Sequence, residues 1–386
     1  MLPQHVGIVL VSTWFLFPLL NHLKLPAPIF FPVSATIFAT ILYYKPVAKL
    51  VTITLVLISI ASHKLTIKRG ENNFNDKAHK AADYSFHGKV DKKKPTMVFI
   101  HGWPDNGDVW KNQTDHFSKT HNCVTITLPH YGRRDAPAVK RFPLGCSIDQ
   151  LMELSRNAVV EVLKKTGDGK IILMIHDWGS WVGLQLQRKY PNLISKCVVL
   201  DVAWVEYNRV TLNFRQIYAL IKMGIGYQYY IIFCWWLTLN ITPFNLGEKI
   251  GARLLEPMIA GMNVPKTSFG SRREEYPLNV YMGATYFYLH WQVIMQMMGY
   301  EQGFDDVHDV QDRTPLYSTE HPLDVLFIYS QDKGFRLHPR KFETLKKRKG
   351  SNVHSLGEKG MSNKIGHWLM TTAGEEVNGF IEEFLK

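Results

Sequence analysis

The chain of 386 residues is 46% apolar, 20% charged and 12% aromatic, which excludes global disorder and a fibrous repeat and leaves ample material for a packed core. Four cysteines, Cys123, Cys146, Cys197 and Cys234, lie too far apart and too irregularly for a disulfide scaffold or a zinc site, so reduced buried thiols are expected. The formal net charge of +12 would suggest nucleic acid, but half of it belongs to six basic residues before Glu71, the first acidic residue, where it flanks apolar segments. Phospholipid headgroups account for that placement better, and no nucleic-acid partner is expected.

Residues 1–63 read as a membrane-anchoring region. Met1 to Leu23 carries no Lys, Arg, Asp or Glu, and Leu25 to Tyr44 is a second uncharged stretch of 20 residues, the length that crosses a bilayer core of about 30 Å. Leu50 to Ser62 is shorter, 13 residues, and spans only if Lys49 snorkels to the interface. One to three crossings are open, as is a buried hairpin in a soluble protein. The basic cluster His63, Lys64, Lys68 and Arg69 places the rest of the chain on the cytosolic side, and the endoplasmic reticulum is the expected membrane; Lys45 and Lys49 pull the other way if the third stretch crosses. Two glycosylation triplets, starting at Asn112 and Asn240, matter only if the domain is lumenal.

A polar linker over 64–94 is followed by short apolar runs alternating with helical stretches, the pattern of a parallel sheet flanked by helices. The runs are Thr96 to Gly102, Cys123 to Pro129, Lys170 to His176, Ser195 to Val202 and Leu323 to Ser330. Helices are expected at Ile148 to Lys165 and Gly374 to Leu385. The rhythm breaks at residues 203–316, dense in Trp, Tyr, Phe and Met, which reads as a helical cap inserted into an α/β core of 95–202 and 317–386.

The most informative motif is His176-Asp177-Trp178-Gly179, which directly follows an apolar strand and opens a helix with small residues at Gly179 and Gly183. A sharp strand-to-helix turn displays its central side chain at the sheet edge, and here that side chain is Asp177. Ser180 is the rival nucleophile, with bulky Trp178 two positions before it. The chain from about residue 94 onward resembles the α/β-hydrolase superfamily, in the branch of epoxide hydrolases and haloalkane dehalogenases, which use an aspartate as nucleophile. It departs from that pattern at Ile175, where the family has a small residue, and at Leu128 to Arg134.

The resemblance implies an aspartyl-ester route: Asp177 attacks, His367 activates water, and Asp332 orients His367, with Asp201 as the rival acid. His101-Gly102-Trp103-Pro104 resembles the family's oxyanion loop, so the backbone N–H groups of Trp103 and Trp178 are expected to hold the ester oxygen. Epoxide opening would be helped by two cap tyrosines, Tyr227 and Tyr281, with Tyr229, Tyr230 and Tyr286 as rivals. A halide would instead favour an Asn where Trp103 stands. No metal or cofactor is expected, and the partners would be a small lipophilic substrate and membrane lipids. Dehalogenase-like or other hydrolase activity, and a non-catalytic binding protein of the same fold, remain open, and oligomeric state is not indicated.

Overall fold

A computed structural model of the chain describes residues 81–131, 145–201, 226–240, 246–262, 264–265, 280–287, 324–331, 352–357 and 365–386. The expected membrane region, 1–63, lies outside the described residues, and among the described residues no helix is long and apolar enough to cross a membrane. The described residues fall into two compact units.

The larger unit is built on a seven-stranded sheet of order β1-β3-β2-β4-β5-β6-β7. Its strands are β1 (Asp83–His87), β2 (Thr96–Ile100), β3 (Asn122–Thr127), β4 (Ile171–His176), β5 (Ile194–Leu200), β6 (Asp324–Ser330) and β7 (Val353–Leu356). Only the β1–β3 pair is antiparallel. All five apolar runs read from the sequence are central parallel strands. Every residue of β2 and β4 is buried, as expected where helices cover both faces of a sheet.

Strand residues alternate between the two faces. Met97, Phe99, Cys123, Met174, Val198, Leu200, Leu326 and Ile328 share one apolar cluster with Trp110, Phe117, Val377 and Ile381, which come from the α1 region (α1, Lys111–Phe117) and the closing α6 (Gly374–Leu385). The opposite face meets α3 (Trp178–Lys189), whose Gly183 lies against Ile175 and Leu173. Next to α3 packs α2 (Ile148–Thr166), started by a reciprocal capping box between Ser147 and Gln150 and stopped at Gly167, which takes the left-handed conformation with φ 78°.

Two strands were not expected. β1 lies inside the stretch read as linker, 64–94, and is an edge strand of sequence DYSFH in which no residue is fully buried, so it lacks the apolar run that betrays a central strand. β7 is four residues long with a single buried position, and is recognisable only from its pairing to β6.

The second unit comes from the insertion and is helical, as its composition suggested. Its described parts are α4 (Gly226–Asn240), most of α5 (Leu246–Ala260) and the segment 280–287. Close approaches at glycine hold it together: a methyl at Gly251 would stand 2.7 Å from the Cys234 carbonyl oxygen, and one at Gly283 would stand 2.4 Å from Cβ of Trp235. Tyr230 donates its hydroxyl to the Leu254 carbonyl at 2.6 Å.

Ile175 departs from the resembled family, and its bulk is accommodated by Gly183, where an added methyl would come within 2.4 Å of its Cγ2 atom. Gly183→Ala is expected to cost about 1–3 kcal/mol of stability. In urea denaturation, a double-mutant cycle with Ile175→Ala should recover part of that loss; additive effects would show that the two side chains do not compete for the same space.

Candidate active site

Four loops at the C-terminal edge of the sheet supply the site. β4 runs straight into α3 with one residue between them, Asp177, held at φ 50° and ψ −127°. A positive φ at a non-glycine residue is strained, and it persists here because neighbouring atoms leave the turn no room to relax. A methyl on Gly179 would lie 2.5 Å from the carbonyl oxygens of Ile100 and His101, and one on Gly102 would lie 2.4 Å from Oδ2 of Asp177. Both positions need glycine because backbone and carboxylate must come this close.

The two carboxylate oxygens of Asp177 have different surroundings. Oδ2 accepts the backbone N–H of Trp103 at 2.9 Å, and the Trp178 N–H at the start of α3 also donates to the carboxylate. Oδ1 faces Nε2 of His367 at 3.3 Å. Burial by itself would push the Asp177 carboxyl up, but the hydrogen bond and positive charge of His367, with the Trp178 N–H, hold it below the ordinary carboxylate value. The structure therefore brings Asp177, His367, Trp103 and Trp178 together.

The acid is placed differently from the expectation. Nδ1 of His367 donates to Oδ2 of Asp201 at 2.6 Å, and Asp201 is fully buried. Asp201 follows β5 at φ 54°, its N–H donates to the Ile328 carbonyl, and its Oδ1 accepts the Ser330 N–H at 3.2 Å. Asp332, read from the sequence as the acid, lies outside the described residues. His367 has one Nδ1–H to give, and Asp201, the rival acid of the sequence reading, receives it. Both β5 and β6 are followed by an aspartate at the same sheet edge, so sequence alone could not choose between them, although β5 is the strand beside the one that ends at Asp177.

Desolvation lowers the basicity of His367, but its hydrogen bonds and attraction to Asp177 and Asp201 outweigh that and raise it to about 9. Two further histidines at this edge, absent from the sequence-based site, are neutral. His101 accepts the Leu128 N–H on Nε2 at 3.0 Å and so donates Nδ1–H to the Gly102 carbonyl at 2.8 Å; burial takes it down to about 4. It thereby fixes the loop that aims the Trp103 N–H. His176 is buried and lowered to about 3, chiefly by desolvation. The only signal for either was its position next to a motif. Ser180, the rival nucleophile, is buried, makes no side-chain hydrogen bond among the described residues and has no base beside it.

In the helical unit, Tyr227 meets Tyr286: the rings are perpendicular with centroids 5.6 Å apart, and the Tyr286 hydroxyl donates to that of Tyr227 at 3.2 Å. Tyr281 is half-buried, one residue before the helical turn at 282–287. Tyr229 is buried. Tyr230 is committed to Leu254 and pushed up to about 12 by burial. No cluster of groups fit to hold a metal occurs among the described residues.

A mainly parallel sheet with an aspartate on the strand-to-helix elbow, followed in chain order by an acid and a histidine at the same edge, defines the α/β-hydrolase fold. Residues 95–220 match the family model described as alpha/beta hydrolase fold. Within that fold the chain resembles epoxide hydrolases. A segment of 112 residues, 29% of this chain, is 30% identical to Epoxide hydrolase 4 of Mus musculus and covers 29% of it. A segment of 109 residues, 28% of this chain, is 31% identical to Epoxide hydrolase 1 of Caenorhabditis elegans and covers 25% of it. The aligned regions thus span less than a third of the length of these curated relatives. A solved epoxide hydrolase structure from Vigna radiata aligns with a TM-score of 0.48 at 17% identity, over 78% of this chain and 97% of its own.

The raised His367 makes stability depend on pH. Its contribution is complete below its ordinary value of 6.5 and is lost as pH rises through about 9. Differential scanning fluorimetry should show Tm falling between pH 6.5 and 9, and His367→Gln should flatten that slope. An equally steep fall in the variant would place the titrating group elsewhere.

Proposed function

We propose that the protein is an epoxide hydrolase that opens lipophilic epoxides to vicinal diols through an ester on Asp177. The observation that carries this reading is the unequal environment of the Asp177 carboxylate, one oxygen held by the Trp103 backbone N–H and the other directed at a paired histidine.

Oδ1 attacks an epoxide carbon, and the carbon–oxygen bond of the ring breaks. Tyr227 and Tyr281 donate hydrogen bonds to the departing alkoxide, and one of them gives it its proton and is left as tyrosinate, with the Tyr286 hydroxyl polarising that of Tyr227. The carbonyl of the new ester is then Oδ2, already seated at the Trp103 N–H, with the Trp178 N–H also donating to the group. His367 removes a proton from water, which attacks Cγ of Asp177; negative charge develops on Oδ2 and is stabilised by the same N–H groups and the N-terminus of α3. Collapse of this intermediate releases the diol and restores the carboxylate.

The charge on His367 fits this order of events. While Asp177 is an anion, His367 is held as imidazolium and cannot serve as a base. Ester formation removes the Asp177 charge and with it one of the two attractions that raise His367. The proton becomes easier to lose at the stage where a neutral imidazole is needed, and it returns by way of solvent to the tyrosinate left by ring opening.

The membrane anchor at residues 1–63 and a cytosolic-facing catalytic domain at the endoplasmic reticulum belong to this proposal, supported by the uncharged N-terminal stretches and the basic cluster after them. An anchored enzyme would draw its substrate from the bilayer.

A single turnover in oxygen-18 water with a lipophilic epoxide should place label in the peptide holding Asp177, and Asp177→Asn, checked for deamidation, should form no ester. Product formed with that peptide unlabelled would favour direct attack by water. For the acid, Asp201→Asn should slow turnover on the order of 10³–10⁴-fold by disturbing the tautomer and orientation of His367, whereas Asp332→Asn should stay near wild type. The reverse result in steady-state kinetics would restore Asp332 as the acid.

A further inference from the structure

Beneath His367 lies a second imidazole that the reaction above does not use. His176 is the last residue of β4 and is 1% exposed. Its Nε2 lies 3.0 Å from the His367 carbonyl oxygen; a carbonyl can only accept, so Nε2 carries the proton. The two rings approach to 4.5 Å between centroids at 41°. Nδ1 of His176 is buried and makes no hydrogen bond among the described residues. On the other side the Trp110 ring meets His176 edge-on, with centroids 6.4 Å apart.

An orphaned buried nitrogen is unfavourable, so an apolar side chain would suit this position better unless the other nitrogen does something specific. What Nε2–H does is tie the backbone of His367 to the strand that carries Asp177. His367 lies outside regular structure, between Gly366 in the left-handed conformation and the short turn Leu369–Thr372, so no helix or strand ladder holds its backbone.

We propose that His176 is a positioning residue for His367: its Nε2–H holds the His367 carbonyl and its ring backs the imidazole, so that the base keeps its aim between Asp177 and Asp201. This rests on the ester reading only for its kinetic consequence; the hydrogen bond and its effect on His367 stand apart from any substrate. The charged groups facing His176 are His367, Asp177 and Asp201. The imidazolium of His367 opposes a second positive charge beside it, and this, with burial, keeps His176 in the neutral form whose Nδ1 is bare.

The test compares full-length His176→Phe, which keeps a ring and loses the donor, with His176→Gln, whose amide nitrogen reaches the place of Nε2. With a lipophilic epoxide in single-turnover experiments, His176→Phe should form the Asp177 ester within a few-fold of the wild-type rate. It should then hydrolyse the ester on the order of 10²-fold more slowly, the cost of a base displaced by about 1 Å, so that ester accumulates. His176→Gln should recover most of the hydrolysis. Wild-type hydrolysis in the Phe variant, or a Gln variant as slow as Phe at equal Tm, would overturn the proposal.

Nuclear magnetic resonance on the wild type decides the matter where the Phe variant does not fold or no ester forms. Nitrogen-15 shifts should show His176 protonated on Nε2 and bare on Nδ1 at neutral pH, and the proton shared by His367 Nδ1 and Asp201 should be a sharp downfield line that survives in His176→Gln. A proton on Nδ1 of His176 overturns the inference. Failure of the wild type to form any ester, with this tautomer intact, counts against the epoxide reading and not against the placement of His367.

Discussion

A carboxylate that must be buried and still charged is the demand to which the rest of the site answers. Burial favours the neutral form of an acid, and a neutral carboxyl is a poor nucleophile. Asp177 stays ionised because two kinds of compensation converge on it: the backbone N–H groups of Trp103, on Oδ2, and Trp178, and the imidazolium of His367 opposite Oδ1. Each of these is delivered by a separate loop, and each loop is fixed by buried polar contacts away from Asp177. His101 clasps the Trp103 loop through Gly102 and Leu128, and the Trp368 indole N–H donates to Asp105 at 2.6 Å, joining the His367 loop to the same segment.

The fold serves this demand by bringing helix and strand closer than side chains normally allow. Gly179 and Gly102 leave space that backbone oxygens and the carboxylate itself fill, and that crowding keeps Asp177 at a positive φ. The strain is local, and the extensive burial of β2, β4 and β5 on either side supports it. Ile175 shows that the elbow does not need a small residue two positions before the nucleophile, provided the following helix gives way at Gly183.

The sequence revealed most clearly what depends on continuous apolar runs or on one short motif. The five central strands, the closing helix and the elbow at Asp177 are of this kind, and so are the backbone N–H groups of Trp103 and Trp178 that donate to the Asp177 carboxylate. Features that depend on pairing across the chain were hidden. β1 and β7 are edge strands whose residues carry no run, and their partners are far away in the sequence. The pairing of His367 is hidden for the same reason: Asp201 and Asp332 each follow an apolar strand in the sequence, and the structure shows Asp201 at His367 while Asp332 lies outside the described residues. The partner of Tyr227 is likewise a matter of how two segments 59 residues apart pack, and the rings that meet belong to Tyr227 and Tyr286.

Counting charge along the proposed reaction explains why the neighbouring histidines are neutral. At rest, two carboxylates and one imidazolium leave a single net negative charge at the site. The state in which water attacks carries the same charge, on Asp201, with His367 neutral; the tetrahedral intermediate carries it too, with the oxyanion and Asp201 offset by the imidazolium. The fresh ester beside a still-protonated His367 carries it on the tyrosinate left by ring opening, and return of the His367 proton to that tyrosinate leaves it on Asp201. The site therefore keeps one net negative charge at every stage, and fixed dipoles that favour this charge need not reorganise. A charged His176 or His101 would offset it throughout. Desolvation of both rings prevents this, and the two histidines can act through their hydrogen bonds without disturbing the electrostatics that the chemistry requires.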